Sequence, residues 1–111
     1  MLRAELEGEP VPELVTQNTS VEFRAGIYVV RFGDAETDRG TYSLEEINEL
    51  TLHGSSGVNA GRTIPCLYQT KGDRLRVCYG LDSVRPTEFT TAANTGRYLG
   101  WYRRPSAQPS R

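Results

Sequence analysis

The sequence predicts an all-β fold: a small antiparallel up-and-down β-barrel of about eight strands. Three observations carry that expectation. Short segments of alternating apolar and polar residues recur along the chain, two pairs of them meet at a dipeptide ending in glycine, and no stretch keeps the period of a long helix. A chain of 111 residues that joins neighbouring strands by tight turns suits a meander closed into a barrel better than two packed sheets.

Leu2, Ala4 and Leu6 alternate with Arg3, Glu5 and Glu7, the pattern of a half-buried strand. The run Gly8-Glu9-Pro10-Val11-Pro12 ends it, because two prolines so close cannot donate to a ladder. Glu13-Leu14-Val15 is expected to form a short helical turn across one end of the barrel, followed by a loop over 17–20. Ala25-Gly26, between VEFR and IYVVRF, reads as a two-residue hairpin turn that pairs Phe23 with Tyr28 and Val21 with Val30. Val21, Phe23, Tyr28, Val30 and Phe32 then share one face. Residues 33–40 read as a polar loop before a strand over 41–44, which turns Tyr42 and Leu44 inward. A helical turn over 45–48 precedes a strand that carries Leu50 and Leu52, and 54–62, rich in Gly, Ser and Asn, reads as a rim loop.

A second glycine turn, Lys71-Gly72, pairs Tyr68 with Leu75, Cys66 with Val77 and Ile64 with Tyr79, so that one face is apolar or aromatic throughout. Gln69, Arg74, Arg76 and Cys78 fall on the other face, and a one-residue slip would mix the two. Residues 81–86 read as a loop, Glu88 to Thr91 as the start of a further strand, and Arg97 to Arg103 as the strand that closes the sheet, with Leu99 and Trp101 inward. The barrel domain is expected over 1–104, with 105–111 a polar tail.

KGDRLRVCYG followed by RPTEF resembles the second half of a family of bacterial lipocalin-like domains of unknown function, in which a short glycine turn leads into L-K-V-C and then R-P-T-E-F. The likeness runs upstream through AELEGEPVPELV, VEFRAGIYVVRF, GTYSL and GSSGVNAGRT, and reaches Arg103. It implies a lipocalin-like barrel and is silent on activity. Members of the family begin with an extra segment holding a Trp, whereas this chain starts inside the first strand, so the seam of the barrel is where closure is least provided for. The resemblance also implies that Arg85 packs across the closed end of the barrel over Trp101 or Tyr98 and meets Glu88, or serves as the anion hook of a ligand pocket.

Net charge is −1, which lacks the electrostatic footprint of a nucleic-acid binder. The distribution is uneven: residues 1–50 hold 11 acids and 4 bases, and the remainder is basic. Since the first and last strands of an antiparallel barrel are neighbours, Glu5 and Glu7 are expected beside Arg97 and Arg103, each such pair contributing about 0.2–1 kcal/mol. No apolar run approaches the length of a membrane span and the start has no signal-peptide core, so no membrane is expected and the cytoplasm is the default location, although a mature secreted chain reads the same. Cys66 and Cys78 fall on opposite faces, which predicts two reduced thiols.

No metal is expected. Asp34, Glu36, Asp38 and Glu45 approach the spacing of a calcium loop, but the glycine falls one place late and strands flank it, which reads as a solvated hairpin tip. His53 is the single histidine, and no nucleophile elbow surrounds Ser55 or Ser56. No cofactor motif is present either: the glycines of 54–61 are not followed by Lys-Ser/Thr. The inward rings Phe23, Tyr28, Phe32, Tyr42, Tyr68, Tyr79 and Trp101, with Arg85, make the candidate site for a small hydrophobic or aromatic ligand. The same rings would equally serve to fill an eight-stranded barrel, which is barely wider than its own side chains. Two other functions are open: a cyclase- or isomerase-type enzyme with a tyrosine or Glu88 as acid/base, and a protein-binding module, or homodimer, using an open sheet edge.

Overall fold

A computed structural model describes residues 1–104. Its single sheet has nine antiparallel strands: β1 (Arg3–Leu6), β2 (Glu9–Pro10), β3 (Thr19–Arg24), β4 (Ile27–Phe32), β5 (Ala35–Leu44), β6 (Glu49–Gly57), β7 (Thr63–Lys71), β8 (Arg74–Gly80) and β9 (Arg97–Arg103). One short helix, α1 (Glu13–Asn18), precedes β3. Strands β3 to β9 run as an unbroken meander, and β1 joins the far side of β9, giving the order β2-β1-β9-β8-β7-β6-β5-β4-β3. First and last strands are neighbours, as the sequence predicts. The sheet curls into a half-barrel whose edges, β2 and β3, share no ladder; across the seam the Met1 ammonium donates to the Thr19 carbonyl at 2.8 Å. The tail expected over 105–111 lies outside the described residues.

The turns are set by where glycine can take a positive φ. At 25–26 both central residues are left-handed (φ 51 and 82), the sign pattern of a type I′ turn, and the register Phe23↔Tyr28 and Val21↔Val30 is the one expected. The second glycine hairpin differs. Gly72 (φ 61) stands first in the loop, not second, so the turn is Gly72-Asp73 and the pairs are Tyr68↔Val77 and Cys66↔Tyr79. A type II′ turn takes glycine at its first central position, whereas Lys71 there would need a left-handed lysine. The shift is two residues, so every side chain keeps its expected face.

Inside the curl, Tyr28, Leu50, Leu52, Ile64, Cys66, Val77, Tyr79 and Tyr102 form the buried core, with Val21, Phe23, Tyr42, Tyr68 and Tyr98 packed against it. Two glycines give the tyrosines room. A Cβ on Gly40 would stand 2.7 Å from a ring carbon of Tyr28, and one on Gly100 would stand 2.6 Å from the Tyr102 hydroxyl. In both places the ring lies over bare backbone.

Several expectations are corrected. Residues 33–40 are not a loop: the turn is Gly33-Asp34, and β5 begins at Ala35. Residues 45–48 make a non-helical turn, with Asn48 at φ 66, and β6 continues to Gly57 before the rim loop. No strand starts at Glu88; 81–96 is one irregular segment strapped over the outer face of the sheet. Its contacts explain why its backbone does not enter a ladder. The Phe89 ring lies 3.8 Å under the Arg76 guanidinium, Cys78 donates to the Thr90 carbonyl, and Thr91 Oγ1 donates to Glu5 and accepts from Gly8 N–H. Asn94 N–H reaches Glu7 Oε1 at 2.9 Å. The acidic and basic halves of the chain are not matched as expected either. Among the described residues Arg85–Glu49 is the only ion pair joining them, Glu5 pairs with Arg3, and Arg103 approaches Asp73.

Candidate functional site

The half-barrel holds a half-open cavity of about 330 Å³. Strands β3 and β4 contribute Val21, Phe23, Tyr28 and Val30 to its wall; β8 and β9 contribute Tyr79, Tyr98 and Tyr102; Leu52 and Ile64 line it from β6 and β7. Its polar end is built by β5 and the rim loop.

The geometry of that end comes from a β-bulge. On β5, Glu36 pairs with Arg31 and Asp38 with Val30, so Thr37 is an extra residue opposite the Val30–Arg31 step. Without it, Glu36 and Asp38 would share a face. With it, Glu36 faces solvent against Arg39 at 2.9 Å, while Asp38 keeps the inward face of Gly40 and Tyr42 and is 5% exposed. There Asp38 Oδ1 accepts from the Tyr28 hydroxyl at 3.1 Å and Oδ2 accepts from Asn59 Nδ2 at 2.7 Å. Asn59 Oδ1 in turn accepts from Arg62 at 3.1 Å, and the other end of that guanidinium donates to the Leu81 carbonyl. A second bulge, at Ser55, seats the rim loop over β5, where Val58 N–H donates to the Thr37 carbonyl at 3.1 Å. At the opposite side of the cavity the Tyr79 and Tyr102 hydroxyls lie 2.7 Å apart.

The tyrosines and the thiol buried in these walls hold their protons more tightly than usual. Burial is the main cause for Tyr28, and the Asp38 charge beside it adds to the effect, so the phenol stays protonated well above its ordinary value. Burial likewise raises Tyr79, Tyr98 and Tyr102. It pushes the Cys66 thiol up to about 12, against which the nearby Arg85 charge acts only weakly. Both cysteines are free and buried, Cys66 inside the curl and Cys78 under the 81–96 strap.

Of the eight residues singled out from the sequence, Phe23, Tyr28 and Tyr79 line the cavity. Tyr42 and Tyr68 pack against the core but not against the cavity; Tyr42 meets Phe23 edge-on at 5.2 Å. Phe32 is 46% exposed at the end of β4, beyond the curl. Trp101 faces the other way. It pairs with Arg3 and Arg76 on the outer face and carries the Arg3 guanidinium 4.0 Å over its ring; its neighbours Tyr98, Gly100 and Tyr102 face in. Arg85 also sits outside, where it pins the strap to β6 and β7. Its guanidinium donates to the carbonyls of Leu50 and Cys66 and to Thr51 Oγ1, with Glu49 at 3.7 Å, in place of the expected Trp101, Tyr98 or Glu88. Glu88 is exposed on the strap, away from the cavity. The sequence reading missed Asp38, Asn59, Tyr98 and Tyr102. Alternation from Arg97 onwards holds both tyrosines on the face opposite Trp101; alternation back from Tyr42 likewise places Asp38 inward, a signal hidden where 33–40 reads as a loop.

Comparison with protein-family models, curated proteins and solved structures finds no match for this chain. Among the described residues no three His, Cys, Asp or Glu side chains group as metal ligands, and no helix is long and apolar enough to cross a membrane.

Proposed function

We propose that this half-barrel is a binding module for a small aromatic or hydrophobic molecule. The observation that carries the reading is the half-open space of about 330 Å³ bordered by Phe23, Tyr28, Tyr79, Tyr98 and Tyr102, with its polar groups gathered at the ends. That volume falls at the small end of the range for ligand sites, roughly 300–1,000 Å³, and apolar walls with few convergent polar groups are their usual composition. The resemblance to lipocalin-like domains is consistent with a ligand in the same place, and belongs to the proposal.

The test is thermal denaturation with a panel of small neutral aromatics. At a ligand concentration of about 100 times Kd, binding to the folded state alone adds roughly 2.7 kcal/mol, enough to raise the Tm by several degrees. Filling the cavity with Val21→Trp should abolish the shift while the sheet signal in circular dichroism persists. Trp101 supplies an internal control: it lies on the outer face, so a cavity ligand should leave its emission unchanged. No stabilisation by any member of the panel would remove the reading.

A second reading has its own observation. The outer edge of β3 carries no strand partner among the described residues, and a groove of about 560 Å³ runs beside it, bordered by Glu22, Arg24, Arg74 and Arg103. An open edge of this kind supports pairing with another strand, including a second copy of the chain. The other edge is poorly suited, since β2 is two residues long and Pro10 has no N–H to offer. Sedimentation velocity separates the cases: edge pairing gives a mass that grows with concentration, and a cavity binder stays monomeric with or without ligand.

A further inference from the structure

We propose that the cavity selects a protonated amine carried on a small aromatic or apolar frame, with Asp38 as the residue that receives the ammonium group. The proposal rests on the reading of the cavity as a ligand site and adds the chemical class of the ligand.

Among the described residues Asp38 is the one carboxylate in a wall made mostly of rings and aliphatic chains. A carboxylate removed from water is costly unless cations or several donors compensate it. Asp38 is 5% exposed and has two donors, the Tyr28 hydroxyl and Asn59 Nδ2, one on each oxygen. Its two oxygens have room for about four hydrogen bonds. Among the described residues no Lys, Arg, His or amino terminus comes within 4.0 Å of it. The carboxylate is therefore held and aimed, yet left with no cation partner from the chain itself.

The surroundings favour a positive guest. Tyr28, Tyr79, Tyr98 and Phe23 border the same space, and an aromatic ring attracts a cation placed over its face. Two positive groups also touch the cavity, and both are engaged elsewhere. Arg62 is committed to Asn59 and the Leu81 carbonyl at the rim, and the Met1 ammonium donates to the Thr19 carbonyl across the seam. The arrangement also has a cause in the fold. Asp38 keeps the inward face of β5 in step with Gly40 and Tyr42, while the Thr37 bulge beside it turns Glu36 out to solvent, and bulges are over-represented beside sites. A neutral aromatic ligand would use the rings and leave Asp38 only its bonds to Tyr28 and Asn59.

Isothermal titration calorimetry with phenethylamine and phenethyl alcohol tests this, since the two share ring and tether and differ in the ammonium. The wild-type chain should bind the amine at least about ten-fold more tightly, the scale of one charge-assisted hydrogen bond. Asp38→Asn keeps the size of the side chain and an acceptor for Tyr28; it should bring the two affinities within about two-fold of each other, leaving the alcohol as before. Equal binding of both molecules to wild type, or a preference that survives Asp38→Asn, overturns the amine proposal while the ligand site stands. The wild-type comparison does this without any variant. Preference for the anion hydrocinnamate would overturn it also, and assign the polar contact to Arg62. If neither phenethylamine nor phenethyl alcohol binds or raises the Tm, the ligand site and the proposal fall together.

Discussion

Replacing Gly40 by alanine tests the packing on which the cavity depends. Gly40 has no need of a left-handed backbone, so the usual reason for glycine is absent, and the demand is purely spatial. A Cβ there would lie 2.1 Å from the His53 carbonyl oxygen, 2.9 Å from Gly54 Cα and 2.7 Å from a ring carbon of Tyr28. The first two are backbone atoms of β6, held by the ladder beside the Ser55 bulge, and cannot rotate away. The third belongs to a ring with almost no exposed surface, whose hydroxyl is bonded to Asp38. Overpacking a filled interior costs about 1–3 kcal/mol, and rigid neighbours on two sides put this site near the top of that range, about 3 kcal/mol. With a urea m-value of about 1.5–2 kcal/mol/M, the unfolding midpoint should fall by roughly 1.5–2 M at unchanged m. Gly26→Ala is the comparison: nothing lies within 4 Å of its Cβ, and only the φ of +82 resists the methyl group. It should cost about 1 kcal/mol. Should Gly40→Ala unfold within about 0.3 M of wild type, or prove milder than Gly26→Ala, the close approach of β5, β6 and the Tyr28 ring is wrong.

Three further outcomes follow from the same coordinates. Ala25 stands at φ 51 in a turn that favours Asn or Gly, so Ala25→Asn should raise stability by about 0.5–1 kcal/mol in denaturant unfolding, and a loss would contradict the turn type. Stability should fall as the solution becomes alkaline. The thiol of Cys66 holds its proton up to about 12 in the folded chain against 9.0 when free, and Tyr28, Tyr79, Tyr98 and Tyr102 hold theirs above 10.0. Between those values the unfolded chain has fewer bound protons than the folded one, so the slope of unfolding free energy with pH is negative above about 9. Phenolate absorbance should therefore rise together with loss of the sheet signal; ionisation of all six tyrosines in an intact sheet would refute it. Finally, alkylation of Cys66 and Cys78 by iodoacetamide should be limited by unfolding, because one is sealed in the core and the other lies under the 81–96 strap; fast labelling of Cys78 alone would show the strap detached.

Faces were legible in this sequence because alternation survives errors of two residues. The Gly72 hairpin is displaced by two positions from its expected register, yet Tyr68, Val77 and Tyr79 still point inward. What alternation cannot register is an odd insertion. The bulge residues Thr37 and Ser55 each break the period by one, and the first separates Glu36 from Asp38, which strict alternation would put on one face. The misplacement of Trp101 has a different origin: both faces of β9 carry large apolar side chains, and it is Tyr98 and Tyr102 that fill the inner one, where Gly100 leaves room for Tyr102. Arg85 shows a third limit. Its partners are main-chain carbonyls of β6 and β7, with Thr51 and Glu49 beside them, and a carbonyl is offered by every residue and announced by none. The bulge, the glycine and the carbonyl thus escape pattern reading for one physical reason. Each part acts by moving the backbone or baring it, and the periodic signal of side chains records the backbone only while it stays regular.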